Sequence, residues 1–153
     1  INSISAMPTN LYGINDNYNP ETSHFIAAVF KKIVDAVKNG VPPVFWGSGN
    51  PRREALFSDD CAMALIYLMN NYDESDLINV GTGFDNSIKE YVKIVCDLLS
   101  YKGEIKWDLS RPDGTYEKRT DITRLKSIMP EYSPILFVEG AKIVLKETFK
   151  IEL

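Results

Sequence analysis

Met7-Pro8-Thr9-Asn10-Leu11-Tyr12-Gly13 is the stretch on which the reading of this chain turns. Ahead of it, Ile1 to Met7 alternates apolar and small residues, the pattern of a short central strand. After it, Thr9 to Thr22 reads as loop, because Asn10, Gly13, Asn15, Asp16, Asn17, Asn19 and Pro20 are turn formers. At roughly 14 residues this is long for a plain connection, and long ordered loops are often functional. The loop delivers the only histidine, His24, to the start of a helix. With a reference pKa of ~6.5, an imidazole there can give or take a proton near neutral pH.

Working outward, strands and helices alternate, which argues an α/β fold. Phe25, Ile26, Val29, Phe30, Ile33, Val34 and Val37 recur at helical spacing, so Ser23 to Asn39 is a helix. Thr22 or Ser23 suits its start and Gly40 its end. Val44 to Trp46 and Arg53 to Phe57 read as two short strands around the Gly47-Ser48-Gly49-Asn50-Pro51 turn, a hairpin-like pair. Ser58 caps a helix to about Asn71, with Asp59 and Asp60 in its first turn facing the helix dipole. Cys61, Ala64, Leu65, Leu68 and Met69 form its inward face. Leu77 to Val80 is a strand stopped by Gly81-Thr82-Gly83. Ser87-Ile88-Lys89-Glu90 is a capping box opening a helix to about Ser100. Glu104 to Trp107 is a strand, Asp121 caps a short helix to Ile128, and Val138 to Phe149 is the last helix.

The 153 residues suffice for one domain with a real core, and the net charge of -4 supplies no global basic field for nucleic acid or an anionic membrane. Cys61 and Cys96 fall on apolar helix faces and read as reduced core residues, so cytoplasm is the expected compartment. No G-x-G-x-x-G follows a strand and opens a helix, no P-loop or H-E-x-x-H is present, and one histidine with two distant cysteines argues against a transition-metal site. The sequence begins at Ile1, partway into a strand, and is expected to be the C-terminal part of a longer protein.

Pro8-Thr9-Asn10-Leu11-Tyr12-Gly13 resembles the P-[TS]-N-x-Y-G segment of the extended short-chain dehydrogenase/reductase superfamily. Trp46-Gly47-Ser48-Gly49, Arg53-Glu54, Ser58-Asp59-Asp60, Asn79 to Gly83, and Asp121 with Thr123 follow the same template in order. Asp16-Asn17-Tyr18-Asn19-Pro20 leading to Ser23-His24, Trp46 before the Gly-Ser-Gly turn, Arg53 after it, and Arg111-Pro112-Asp113-Gly114-Thr115 followed by Lys118 narrow the likeness to the GDP-L-fucose synthase family.

That resemblance implies a single C-terminal substrate-binding domain over residues 1–153, with residues 1–13 the end of a Rossmann sheet and its following loop. The remaining Rossmann half, with NADP (NADPH), a Ser-Tyr-Lys set and a cysteine used in epimerisation, is implied to lie upstream, since no tyrosine here has a lysine four residues later. The implied reaction converts GDP-4-keto-6-deoxy-mannose to GDP-L-fucose, in a full-length protein that is a homodimer. The resemblance assigns proton transfer to His24, the nicotinamide pocket to Pro8, Thr9, Asn10 and Leu11, and the sugar nucleotide to Lys32, Trp46, Arg53 and Asp113. Lys118 is a further candidate for the diphosphate, and Lys32 stands where the family's well-known members carry arginine, keeping the charge without the bidentate fork.

Overall fold

The structure is a computed structural model and describes residues 3–153. In sequence order the elements are β1 (Ala6–Pro8), β2 (Asn10–Tyr12), α1 (Phe25–Asn39), β3 (Val44–Trp46), β4 (Arg52–Arg53), β5 (Ala55–Phe57), α2 (Ser58–Asn71), β6 (Ile78–Val80), β7 (Asn86–Ser87), α3 (Ile88–Leu98), β8 (Lys106–Asp108), β9 (Glu117–Lys118), α4 (Thr123–Ile128) and α5 (Phe137–Glu147). The expected α/β class holds, with helices packed on small sheets of two or three strands.

The opening stretch departs from its expected form. It is two strands broken at Thr9, where a strand followed by loop was expected. β1 pairs in parallel with β6, Ala6 opposite Ile78, and β2 pairs in parallel with β5, Asn10 opposite Ala55. The Thr9 N–H still donates to Val80 O at 2.9 Å, so the backbone switches neighbour within one residue. Two available parallel partners outweigh the turn preference of Asn10. Of the expected strand, Ile1 and Asn2 lie outside the described residues.

The hairpin is a second correction. β3 pairs in parallel with β8, Val44 opposite Lys106. Residues 53–57 divide at Glu54: β4 sits between antiparallel β7 and parallel β9, while β5 joins β2. Gly47 and Gly49, both at φ 72°, send the backbone to a different sheet, where a hairpin needs it to return along β3.

Two apolar clusters result, and β5 is their common wall. Ala55 and Phe57 face the cluster built on α1, α3 and α5, and Leu56 faces the one built on α2, β6 and α4. This is the two-residue alternation of a strand buried on both faces. The first cluster contains a run of rings: Tyr91 meets Phe137 edge-on at 4.5 Å, Phe137 lies 5.1 Å from Tyr12, and Tyr12 lies 5.5 Å from Phe57. Each such fully buried aromatic is worth about 1.5–3 kcal/mol over its exposed state.

Helix ends follow the sequence in part. Gly40 terminates α1 in the left-handed conformation, its N–H donating to Ala36 O. The capping box of α3 is complete, with Glu90 N–H on Ser87 Oγ and Ser87 N–H on Glu90 Oε2. The N-cap of α4 is Ile122, not the expected Asp121, which stands one residue earlier and accepts from the Thr123 N–H at 2.8 Å. The N-cap of α1, however, is His24, and neither Thr22 nor Ser23 caps this helix. Phe57 is the N-cap of α2, so Ser58 is its first helical residue. Val37 and Met69, expected inward, are exposed, while Ala36 and Leu68 beside them take the buried positions in the last turns of α1 and α2. Both cysteines are free and buried, and burial pushes both thiols above the usual range.

Candidate functional site

The fold sorts the sequence-derived residues into two groups and leaves one apart. The first group gathers where β3, β4 and the 108–115 loop meet. Pairing of β3 with β8 carries Trp46 opposite Asp108, and Gly47 N–H extends the ladder onto Asp108 O at 2.9 Å. Trp46 is 66% exposed, and the Arg111 guanidinium lies over its ring at 5.1 Å. Lys32 reaches across from α1, donates to Val44 O at 2.7 Å, and lies 5.2 Å from the Phe45 ring and 5.9 Å from the Trp46 ring. Burial pushes the Lys32 ammonium below its usual range.

Arg53 is anchored from below and from the side. Tyr91 Oη in the aromatic core donates to Arg53 O at 2.8 Å, which ties β4 to α3. Its own Nη1 donates to Arg52 O and to Thr115 O, both at 2.7 Å. The guanidinium keeps further N–H donors beyond these two bonds. The adjacent Arg52 serves structure instead: its Nε and Nη2 grip Asp85 Oδ1 at 2.9 and 2.8 Å, with Glu90 at 3.4 Å. Asp113 faces the Gly47–Gly49 turn. Its Oδ1 accepts from Ser48 N–H at 2.5 Å and its Oδ2 from Ser48 Oγ at 2.7 Å. The Ser48 hydroxyl, and then its amide, hold the Asp113 carboxyl below the usual carboxylate range.

The second group is the ribbon of Pro8, Thr9 and Asn10, which shares a cleft of about 410 Å³ with Lys118, Arg119 and Thr120. Met7 and Leu11 on either side are 53% and 41% exposed. Asn10 Nδ2 donates to Glu54 O at 2.8 Å, so this amide N–H is used within the protein. Among the described residues β1 pairs only with β6, and its other edge is open.

His24 is joined to neither group by a hydrogen bond among the described residues. It is exposed at the N-terminus of α1, and its imidazole makes no hydrogen bond among the described residues. No group of three or more His, Cys, Asp or Glu residues converges as a metal set among the described residues, and none of the described helices is long and apolar enough to cross a membrane.

The role of one residue that joins the groups escaped sequence reasoning, although Arg53-Glu54 follows the family template. Glu54 is fully buried between β4 and β5. Its Oε1 accepts from the N–H groups of Thr82 and Gly83 at 2.5 and 2.7 Å and from Thr82 Oγ1 at 3.2 Å. Its Oε2 accepts from the N–H and Oγ1 of Thr120 at 2.6 and 2.7 Å. Its backbone N–H reaches Lys118 O at 3.2 Å, and its C=O takes the Asn10 amide. Asn10, Arg53 and Lys118 thus all meet at Glu54. Beside the template match, the available signal was a carboxylate set next to the apolar run Ala55-Leu56-Phe57.

Residues 1–81 match the NAD dependent epimerase/dehydratase family. The sequence is 44% identical over 128 residues to a GDP-L-fucose synthase of Sinorhizobium fredii, covering 83% of this chain and 41% of that protein. It is 42% identical over 134 residues to the GDP-L-fucose synthase of Escherichia coli, covering 81% of this chain and 42% of that protein. Among solved structures, a GDP-L-fucose synthetase from Naegleria fowleri bound to NADP superposes with a TM-score of 0.91 at 29% identity, covering 96% of this chain and 46% of that one. The chain therefore spans about two-fifths of the length of the curated relatives it matches.

Proposed function

This chain belongs to the NAD dependent epimerase/dehydratase family, and from that we propose that it is the sugar-nucleotide-binding part of an NADP-dependent epimerase/reductase acting on GDP-4-keto-6-deoxy-mannose. The observation that carries the reading is the meeting of Trp46, Arg53 and Asp113, with Lys32 behind them, on one edge of a protein whose relatives are named GDP-L-fucose synthases. A flat indole, an anchored guanidinium and a rigid loop suit a nucleoside diphosphate. His24 faces the sugar and exchanges protons at the carbons beside its ketone. The ketone acidifies those C–H bonds: a base takes the proton, an enolate forms, and an acid returns a proton to the opposite face.

The ribbon from Pro8 to Leu11 fits one wall of a nicotinamide pocket, with Pro8 and Leu11 exposed as apolar surface beside the cationic Lys118 and Arg119. NADPH, when bound, supplies the hydride that reduces the ketone. The described part of the opening stretch, residues 3–13, forms the rim of a wider sheet added at the unpaired edge of β1, and the rest of the domain is substrate-binding. The full-length protein is a cytoplasmic homodimer, and these 153 residues alone do not turn over.

Calorimetric titration of the full-length protein with GDP and UDP tests the binding claim. GDP is expected to bind more tightly, and Arg53→Ala to weaken it about 10- to 100-fold, the loss of charge-assisted bonds worth ~1.5–3 kcal/mol. Absence of GDP binding, or an unchanged Arg53→Ala affinity, contradicts it.

A further inference from the structure

We propose that Ser48 and Asp113 form a latch that fixes the sugar-nucleotide surface before any ligand arrives, so that both are positioning residues for the reading given above. The resemblance gives Asp113 to the substrate and gives Ser48 no part. The geometry divides the work differently.

Both oxygens of the Asp113 carboxylate are already engaged by one residue, Oδ1 by Ser48 N–H and Oδ2 by Ser48 Oγ. The Ser48 hydroxyl also accepts from Asn50 N–H at 3.1 Å, which fixes its direction. A two-point contact of this kind sets angle as well as distance, and a carboxylate acceptor makes each bond stronger than a neutral pair. The turn is shaped for it. Gly47 has a left-handed φ of 72°, and a Cβ there would collide with the Asp113 carboxylate. Gly114, also at φ 72°, lets the loop turn so that Thr115 O meets Arg53.

The latch therefore ties together three ligand-facing parts that lie far apart in sequence. Trp46 precedes the turn, Arg111 precedes Asp113 and covers the Trp46 ring, and Thr115 follows Asp113 and holds Arg53. With the latch closed, the indole, its guanidinium neighbour and the Arg53 fork have fixed relative positions. Their ordering cost is met during folding, not on binding.

The test uses the full-length protein carrying Ser48→Ala, Ser48→Thr, Asp113→Ala and the Ser48→Ala/Asp113→Ala pair. Hydrogen exchange without ligand is read first, because it does not depend on activity. Ser48→Ala and Asp113→Ala should each speed exchange in segments 47–50 and 108–115, and Ser48→Thr, which keeps the hydroxyl, should not. The KM for the GDP-sugar should then rise about 10-fold in both alanine variants with kcat little changed. The double variant should be no worse than the worse single one, as expected for two halves of one contact. Unchanged exchange overturns the latch. Faster exchange with unmoved KM overturns its positioning role. A raised KM in Asp113→Ala beside a wild-type KM in Ser48→Ala assigns Asp113 to direct ligand contact and also overturns it. If the wild-type protein does not use the GDP-sugar, the functional reading fails and with it the positioning role, while the exchange data still judge the latch.

Discussion

Replacing Glu54 with leucine is expected to cost about 3 kcal/mol or more of folding stability, because three backbone N–H groups bonded to a fully buried carboxylate lose their acceptor at about 1–3 kcal/mol each. The three are those of Thr82, Gly83 and Thr120. Leucine fits an apolar neighbourhood but accepts nothing. The carboxylate bridges the Gly81–Gly83 turn to the segment after β9 through Thr120. Glu54→Gln should fall between wild type and leucine. It retains one carbonyl oxygen but turns an NH₂ donor toward groups that also donate. For a domain of this size, ~3 kcal/mol corresponds to a fall in Tm of about 6–12 °C. Chemical and thermal unfolding of the full-length protein read both variants. Losses within about 0.5 kcal/mol, the range of an ordinary surface change, would contradict the role given to Glu54.

The legible parts of this protein are those whose cause is local. Ser87 and Glu90 sit three residues apart and cap each other, so the start of α3 could be read directly. The apolar spacing of α1 and Gly40 after it fixed that helix to within two residues at its start. The strands were harder, because each is only two or three residues long and its neighbour lies far along the sequence. Ala6 meets Ile78 and Val44 meets Lys106, pairings that no local pattern reveals. The strand β9 at Glu117–Lys118 carries no strand pattern at all and exists because Arg52 and Arg53 lie beside it. The candidate site divides the same way. Trp46, Arg53 and Asp113 were legible as ligand-facing residues, whereas Ser48 and Glu54 were legible only as motif positions without a role. Their partners are 65, 28 and 66 residues away, and an isolated serine or glutamate in sequence looks like surface.

His24→Gln in the full-length protein should lower epimerisation about 10²- to 10⁴-fold, the range for removing a positioned acid or base. Glutamine keeps the hydrogen-bonding polarity but carries no titratable proton. The fold should be unaffected, because the His24 ring is exposed and caps nothing; the α1 contact at this position is its backbone carbonyl, which accepts from Ala28 N–H at 2.9 Å. Reduction of a ketone already carrying the product configuration should survive far better than epimerisation, since hydride transfer does not pass through His24. Rates followed separately by NADPH absorbance and by the configuration of the sugar distinguish the two steps. Equal epimerisation in variant and wild type would remove His24 from the chemistry and return it to a helix-end residue.

The proposed function requires that a keto sugar nucleotide be held for inversion beside its ketone and for reduction. The most direct measurement is to run the full-length protein in D₂O with GDP-4-keto-6-deoxy-mannose and NADPH and to read the product by NMR. The expected product is GDP-L-fucose carrying solvent deuterium at C3 and C5, formed with one NADPH consumed per sugar. A product with unlabelled, uninverted carbons, or no NADPH consumption at all, would contradict it.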